Sequence, residues 1–90
     1  MPVVEDEIVV VNSLGIHARP AANLVQRMLA FESEVLIAND GAAVNAKSIM
    51  GLLTLAATRG ARLKVTCKGE DAEEAMAALK EIFASGFGET

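Results

Sequence analysis

Arg62-Leu63-Lys64-Val65-Thr66-Cys67-Lys68 alternates without a break. Leu63, Val65 and Cys67 fall on one side of an extended chain; Arg62, Lys64, Thr66 and Lys68 fall on the other. A strand with this pattern belongs to a sheet that is covered on one face and wet on the other. The cover must come from helices, and the flanking sequence supplies them. Downstream, Gly69 breaks the strand. Asp71, followed three residues later by Glu74, resembles a capping box opening a last helix. In that helix Ala72, Ala75, Met76, Leu79, Ile82 and Phe83 make one continuous apolar stripe at helical spacing. From Ser85 onward two glycines predict a frayed tail.

Upstream, residues 4–11 read as a strand rich in β-branched side chains. Asn12-Ser13-Leu14-Gly15 breaks it. From Ala18 the period becomes helical, with Ala21, Leu24, Val25 and Met28 at i, i+3, i+4 and i+7. Pro20 sits in the first turn, where a missing N–H costs nothing. Residues 34–38 read as a second strand, Asn39-Asp40-Gly41 has hairpin-turn chemistry, and Ala42–Asn45 is a short return strand. Ser48 then stands as N-cap before a short apolar helix containing Ile49, Met50, Leu52 and Leu53. Gly60 ends the connection into residues 62–68. The predicted order is β-α-β-β-α-β-α: an α+β, open-faced sandwich with a four-stranded, mostly antiparallel sheet covered on one face by three helices.

The 90 residues are expected to form a single domain, 1–90, since no linker, repeat or low-complexity tract divides them. A chain this short holds one modest core and no separate cofactor domain. Lys plus Arg number 8 against 12 Asp plus Glu, a net charge of -4. That balance argues against nucleic acid and against an anionic membrane surface. An RNA-recognition fold of similar element order needs exposed aromatics on its sheet, and residues 62–68 carry none. One cysteine excludes an internal disulfide and a thiolate metal cluster. The acidic start MPVVEDEIVV does not read as a signal peptide, and no apolar run approaches the roughly 20 residues of a membrane span. The expected location is cytoplasmic. Cys67 reads as a small core residue, Glu5, Asp6 and Glu7 as a solvated strand edge, and Glu70, Asp71, Glu73 and Glu74 as complements to a helix N-terminus. No metal or cofactor is expected.

The one histidine has a distinctive setting, Gly15-Ile16-His17-Ala18-Arg19-Pro20-Ala21. An imidazole at a helix start faces backbone N–H groups and the positive end of the helix dipole, which disfavour a second positive charge on the ring. An uncharged ring nitrogen is a nucleophile. The same N–H groups suit a dianion bound to that nitrogen, and Arg19 adds a planar guanidinium for phosphoryl oxygens. For an isolated histidine, a cap or surface role is the ordinary reading; its neighbours here point to phosphoryl acceptance.

Residue for residue, Gly15 to Ala21 resembles the hallmark of the HPr family, the histidine-containing phosphocarriers of the bacterial phosphotransferase system. Lys47-Ser48-Ile49-Met50-Gly51-Leu52 resembles that family's regulatory-serine segment, at the right separation. The resemblance covers nearly the whole chain and implies the same open-faced sandwich. It implies that His17 is phosphorylated on Nδ1 by the phosphohistidine of enzyme I, itself charged from phosphoenolpyruvate, and passes the group to IIA proteins of sugar transporters. Arg19 would help hold and release the group. Ser48 would be the target of HPr kinase/phosphorylase where that enzyme exists, with a transcription factor as a partner of the phosphoserine form. Ile49, Met50 and Leu53 would make a docking surface bordered by Ile16 and Ala22, on a protein acting as a monomer and a relay, without turnover of its own. The family often carries two lysines along the first helix; here Gln26 and Leu29 stand in that stretch, with Arg27 the one basic residue after Arg19. The segment Phe83 to Glu89 resembles the tail of the family's nitrogen-branch members, which feed a regulatory IIA protein. A purely regulatory module acting through Ser48 is a further alternative, though relatives of that kind lack the histidine.

Overall fold

Seven regular elements and a terminal 3-10 turn follow in the order β1 (Val3–Val9), α1 (Ala18–Met28), β2 (Glu34–Asn39), β3 (Ala42–Asn45), α2 (Ile49–Thr54), β4 (Arg62–Lys68), α3 (Ala72–Ala84) and Gly86–Gly88. The structure is a computed structural model and describes residues 1–89; Thr90, the end of the expected tail, lies outside the described residues. The four strands form one sheet in the order β1-β4-β2-β3, and every pairing is antiparallel. The decisive segment is the sheet's centre: β4 pairs with β1 from Val3↔Lys68 to Val9↔Arg62 and with β2 from Glu34↔Lys68 to Ala38↔Lys64. Leu63, Val65 and Cys67 are fully buried beneath the helices, and Arg62, Lys64 and Lys68 are exposed. Burial pushes the Cys67 thiol above its ordinary pKa, and the Asp71 charge adds to the shift. Cys67 is thus a packed core group, not a nucleophile.

The helices cover that face through the predicted stripes. α1 buries Pro20, Ala21, Leu24 and Met28; Leu24 and Met28 are worth about 1.5–3 kcal/mol each in apolar burial. α3 buries all six residues of its stripe. The β2–β3 connection takes positive φ at Asp40 and Gly41 (55° and 94°), the backbone of a primed two-residue turn, with Asn39 paired to Ala42. The β1 boundary differs from the sequence reading of 4–11. The regular ladder stops at Val9, yet Val10 still donates to the Ala61 carbonyl and accepts from the Gly60 N–H. The chain therefore stays pinned to the connection before β4 and turns only at Asn12.

Asp71 corrects the capping-box expectation. It stands at the N-cap of α3 but makes no side-chain cap bond. Its carboxylate accepts instead from the Glu32 and Ser33 N–H groups, each at 2.9 Å, and from the Ser33 hydroxyl. These bonds hold the carboxyl below the usual range, the Ser33 hydroxyl contributing most. The residue staples the entry of β2 to the start of α3. On the sheet edge, Glu5, Asp6 and Glu7 are exposed as expected, with Asp6 paired to Lys80 of α3 and Glu7 to Arg62 at 3.1 Å.

Candidate functional site

The site is built on the loop that turns β1 into α1. Gly15 takes φ 69° and lies so close to the chain after α2 that a Cβ there would stand 2.3 Å from the Ala57 carbonyl oxygen and 2.9 Å from Thr58 Cα. That approach lets the Ile16 N–H donate to Ala57 at 3.0 Å. Ile16 turns inward as a result. It is only 5 % exposed and belongs to the core, so it offers no surface to border a docking patch, contrary to the sequence expectation. Ala22, expected at the same border, is half-buried on α1.

His17 is the N-cap of α1, with extended backbone, and its carbonyl accepts the Ala21 N–H at 3.0 Å. Its ring makes no cap bond. The first N–H groups of the helix, on Ala18 and Arg19, are thus not consumed by a cap side chain and remain suited to an anion. The ring is 37 % exposed, enough for a partner to reach it. Arg19 is exposed, and among the described residues its guanidinium has no carboxylate partner.

The structure adds two residues that sequence reasoning missed. His17 Nε2 lies 2.8 Å from Glu89 Oε2, and Asn12 Nδ2 donates to Glu89 Oε1 at 2.9 Å and to the Gly15 carbonyl at 2.8 Å. As far as Glu89 the tail is therefore docked, not frayed. Gly86 (φ 63°) ends α3 in the left-handed conformation, and Phe87 inserts beside Phe83 edge to face, ring centroids 4.8 Å apart. Phe87 itself sits at φ 58°, a strain of about 1–2 kcal/mol for a residue with a Cβ. Its burial to 7 % exposure, worth about 1.5–3 kcal/mol, and the ring pair, about 0.5–1.5 kcal/mol, outweigh that strain. The signal in the sequence was a lone aromatic between two glycines, one of three in the chain.

Ser48 caps α2 as expected: its Oγ accepts the Gly51 N–H at 3.1 Å. Ile49, Met50 and Leu53 are 42, 71 and 36 % exposed. Leu14, in the loop before His17, is 72 % exposed, another residue the sequence reading did not single out. The chain just beyond α2 carries the Ala57 carbonyl that holds Ile16. Ser48 stands at the opposite end of the helix, about 9 Å away along its axis. Among the described residues no group of three or more His, Cys, Asp or Glu is placed to hold a metal, and no helix is long and apolar enough to cross a membrane.

A half-exposed imidazole beside a helix N-terminus and a guanidinium without a carboxylate partner among the described residues can accept, hold and release a phosphoryl group. Comparison with known proteins points the same way. The family described as PTS HPr component phosphorylation site matches residues 4–85. Phosphocarrier protein HPr of Xylella fastidiosa (strain 9a5c) is 48 % identical over 85 residues, covering 94 % of this chain and 96 % of that protein. Phosphocarrier protein NPr of Escherichia coli (strain K12) is 41 % identical over 87 residues, 96 % and 97 % of the two chains. The crystal structure of HPr-C-His from Thermoanaerobacter tengcongensis superposes with a TM-score of 0.92 at 42 % identity, covering 97 % of this chain and 98 % of that one.

Proposed function

This chain belongs to the HPr family of phosphotransferase-system phosphocarriers, and on that premise we propose that His17 accepts a phosphoryl group from phospho-enzyme I and passes it to IIA proteins of sugar transporters. One observation carries the reading: the chain's single histidine is half-exposed at the start of α1, its ring unused as a cap, with Arg19 exposed two residues on and without a carboxylate partner among the described residues. The nitrogen of the ring attacks phosphorus, the donor's phosphorus–nitrogen bond breaks, and the donor imidazole keeps that electron pair. Phosphoryl transfer of this kind depends on positioning and charge stabilisation. Arg19 and the first N–H groups of α1 offer both to the phosphoryl oxygens, without a metal.

Leu14, Ile49, Met50 and Leu53 form the apolar surface against which partners dock, with Ala22 at its edge. Ser48 is the regulatory position. A phosphate on it would meet the N-terminus of α2 and add about two negative charges beside that surface, which an acidic or apolar partner must repel or desolvate. HPr kinase/phosphorylase would write that mark, and a transcription factor would read it. The protein works in the cytoplasm as a monomer.

A second reading rests on the segment Phe83 to Glu89, which resembles the tail of nitrogen-branch members, and on the 41 % identity to NPr of Escherichia coli. In that branch the carrier serves a regulatory IIA protein. On α1, Gln26 and Leu29 are exposed where many relatives carry lysines, which makes enzyme I docking less electrostatic. The test of the main reading is to incubate the protein with phosphoenolpyruvate and enzyme I, then add a sugar-system IIA protein or a nitrogen-branch one. An acid-labile gain of one phosphoryl group, discharged to the IIA protein, is expected. No adduct would refute the carrier reading, and discharge only to the nitrogen-branch protein would select the second.

A further inference from the structure

We infer that Glu89, oriented by Asn12, is a positioning residue that fixes the tautomer of His17 and so keeps Nδ1 ready as the nucleophile. The inference rests on the proposed phosphoacceptor role of His17 and goes beyond it, because it assigns a function to the C-terminal turn.

Polarity runs one way along the contacts. The Gly15 carbonyl and Glu89 Oε1 are both acceptors, so the Asn12 amide must turn Nδ2 toward them, one N–H to each. The reverse orientation would set oxygen against two oxygens. The choice leaves Asn12 Oδ1 buried without a partner among the described residues, a penalty of the kind native folds rarely retain without a reason. Glu89 then presents its second oxygen, Oε2, to the imidazole. A carboxylate only accepts, so the proton of the uncharged ring must lie on Nε2. Nδ1 keeps its lone pair, and among the described residues no group hydrogen-bonds it.

The same contact acts during transfer. When Nδ1 forms its bond to phosphorus, positive charge grows on the ring, and the hydrogen-bonded carboxylate on Nε2 compensates it. Carboxylate–imidazole pairs in hydrolases work by the same logic of orientation and charge. Phe87 is the anchor that delivers Glu89: its ring packs on Phe83, and the Glu89 N–H donates to the Gly86 carbonyl at 2.9 Å. Glu89 is a half-buried acceptor, its side chain 18 % exposed, so the bond is only partly screened by water.

The test is nitrogen NMR of the His17 ring in the unphosphorylated protein at a pH where the ring is uncharged. In the native chain Nε2 should carry the proton. In Glu89→Gln the outcome should invert. The Gln oxygen must accept from Asn12, whose amide is held by Gly15, and the Gln NH2 then faces the ring and demands an acceptor at Nε2. The proton moves to Nδ1, and phosphorylation by enzyme I should slow about tenfold or more, the scale of one lost charge-assisted hydrogen bond. Glu89→Ala should give the unconstrained tautomer mixture, which keeps the test valid if the Gln variant releases the tail. Unchanged ring signals in both variants would overturn the inference while leaving the carrier reading intact. A ring that responds as expected but accepts no phosphoryl group from enzyme I in the native protein would overturn the carrier reading instead.

Discussion

Gly15→Ala is the sharpest perturbation of the loop that carries His17, and Gly60→Ala is its control. Both glycines have positive φ, 69° and 89°. A side chain at either pays about 1–2 kcal/mol for the left-handed backbone. At Gly60 nothing lies within 4 Å of the added Cβ, so strain is the whole effect. At Gly15 the Cβ would stand 2.3 Å from the Ala57 oxygen, which is backbone and cannot rotate away. The loop must lift, weakening the Ile16 to Ala57 hydrogen bond, worth about 1 kcal/mol, and pulling Ile16 partly out of the core. Together these add about 2 kcal/mol beyond the control, or roughly 8–16 °C in Tm for a chain of this size. Thermal unfolding by circular dichroism measures the difference. If the loop relaxes without unfolding, the displacement appears as a slower His17 reaction, since about 1 Å of misplacement is worth up to 10²-fold in rate. Equal Tm values and equal phosphorylation rates for the two variants would refute the claim that this close approach positions the histidine.

Three further outcomes follow from the site. Arg19→Ala should fold normally, because the side chain is exposed and unpaired among the described residues, but should slow transfer by roughly 10²-fold; quench-flow transfer to and from each partner measures it, and Arg19→Lys should rescue only in part. Met50→Glu should weaken enzyme I binding in calorimetric titration with little change in Tm, since the side chain is 71 % exposed. Ser48→Asp should keep the α2 cap, while Ser48→Ala loses about 1 kcal/mol; the Asp variant should also be phosphorylated more slowly on His17, and an unchanged rate would remove Ser48 from the regulatory reading.

The fold was legible wherever the signal was local. The alternation of residues 62–68, the stripes at 21–28 and 72–83 and the turn at Asp40-Gly41 each depend on neighbours a few residues away. They fixed β4, both long helices and the hairpin. Asp71 opens α3 where the local pattern placed it, but its missing cap bond was not legible because its carboxylate serves Ser33, 38 positions earlier. Ile16 was placed at the border of a docking surface by family resemblance, yet the positive φ of Gly15 turns it inward. The placement of His17 at the start of α1, with Arg19 exposed two residues on, could be read from their order in the chain. Glu89 could not, because 72 positions separate it from His17 and two glycines resemble a loose end when no partner for Phe87 is visible. Local periodicity carries helices and strands; closure of the site by the C-terminus is a tertiary event.

The central claim is that His17 is the phosphoryl acceptor. Its most direct test is phosphorylation of the native protein and of His17→Ala by phosphoenolpyruvate and enzyme I, followed by intact-mass measurement before and after acid. The native chain should gain one phosphoryl group that acid removes, as a phosphorus–nitrogen bond requires, and His17→Ala should gain none. An adduct on His17→Ala, or an acid-stable adduct on the native chain, would contradict the account.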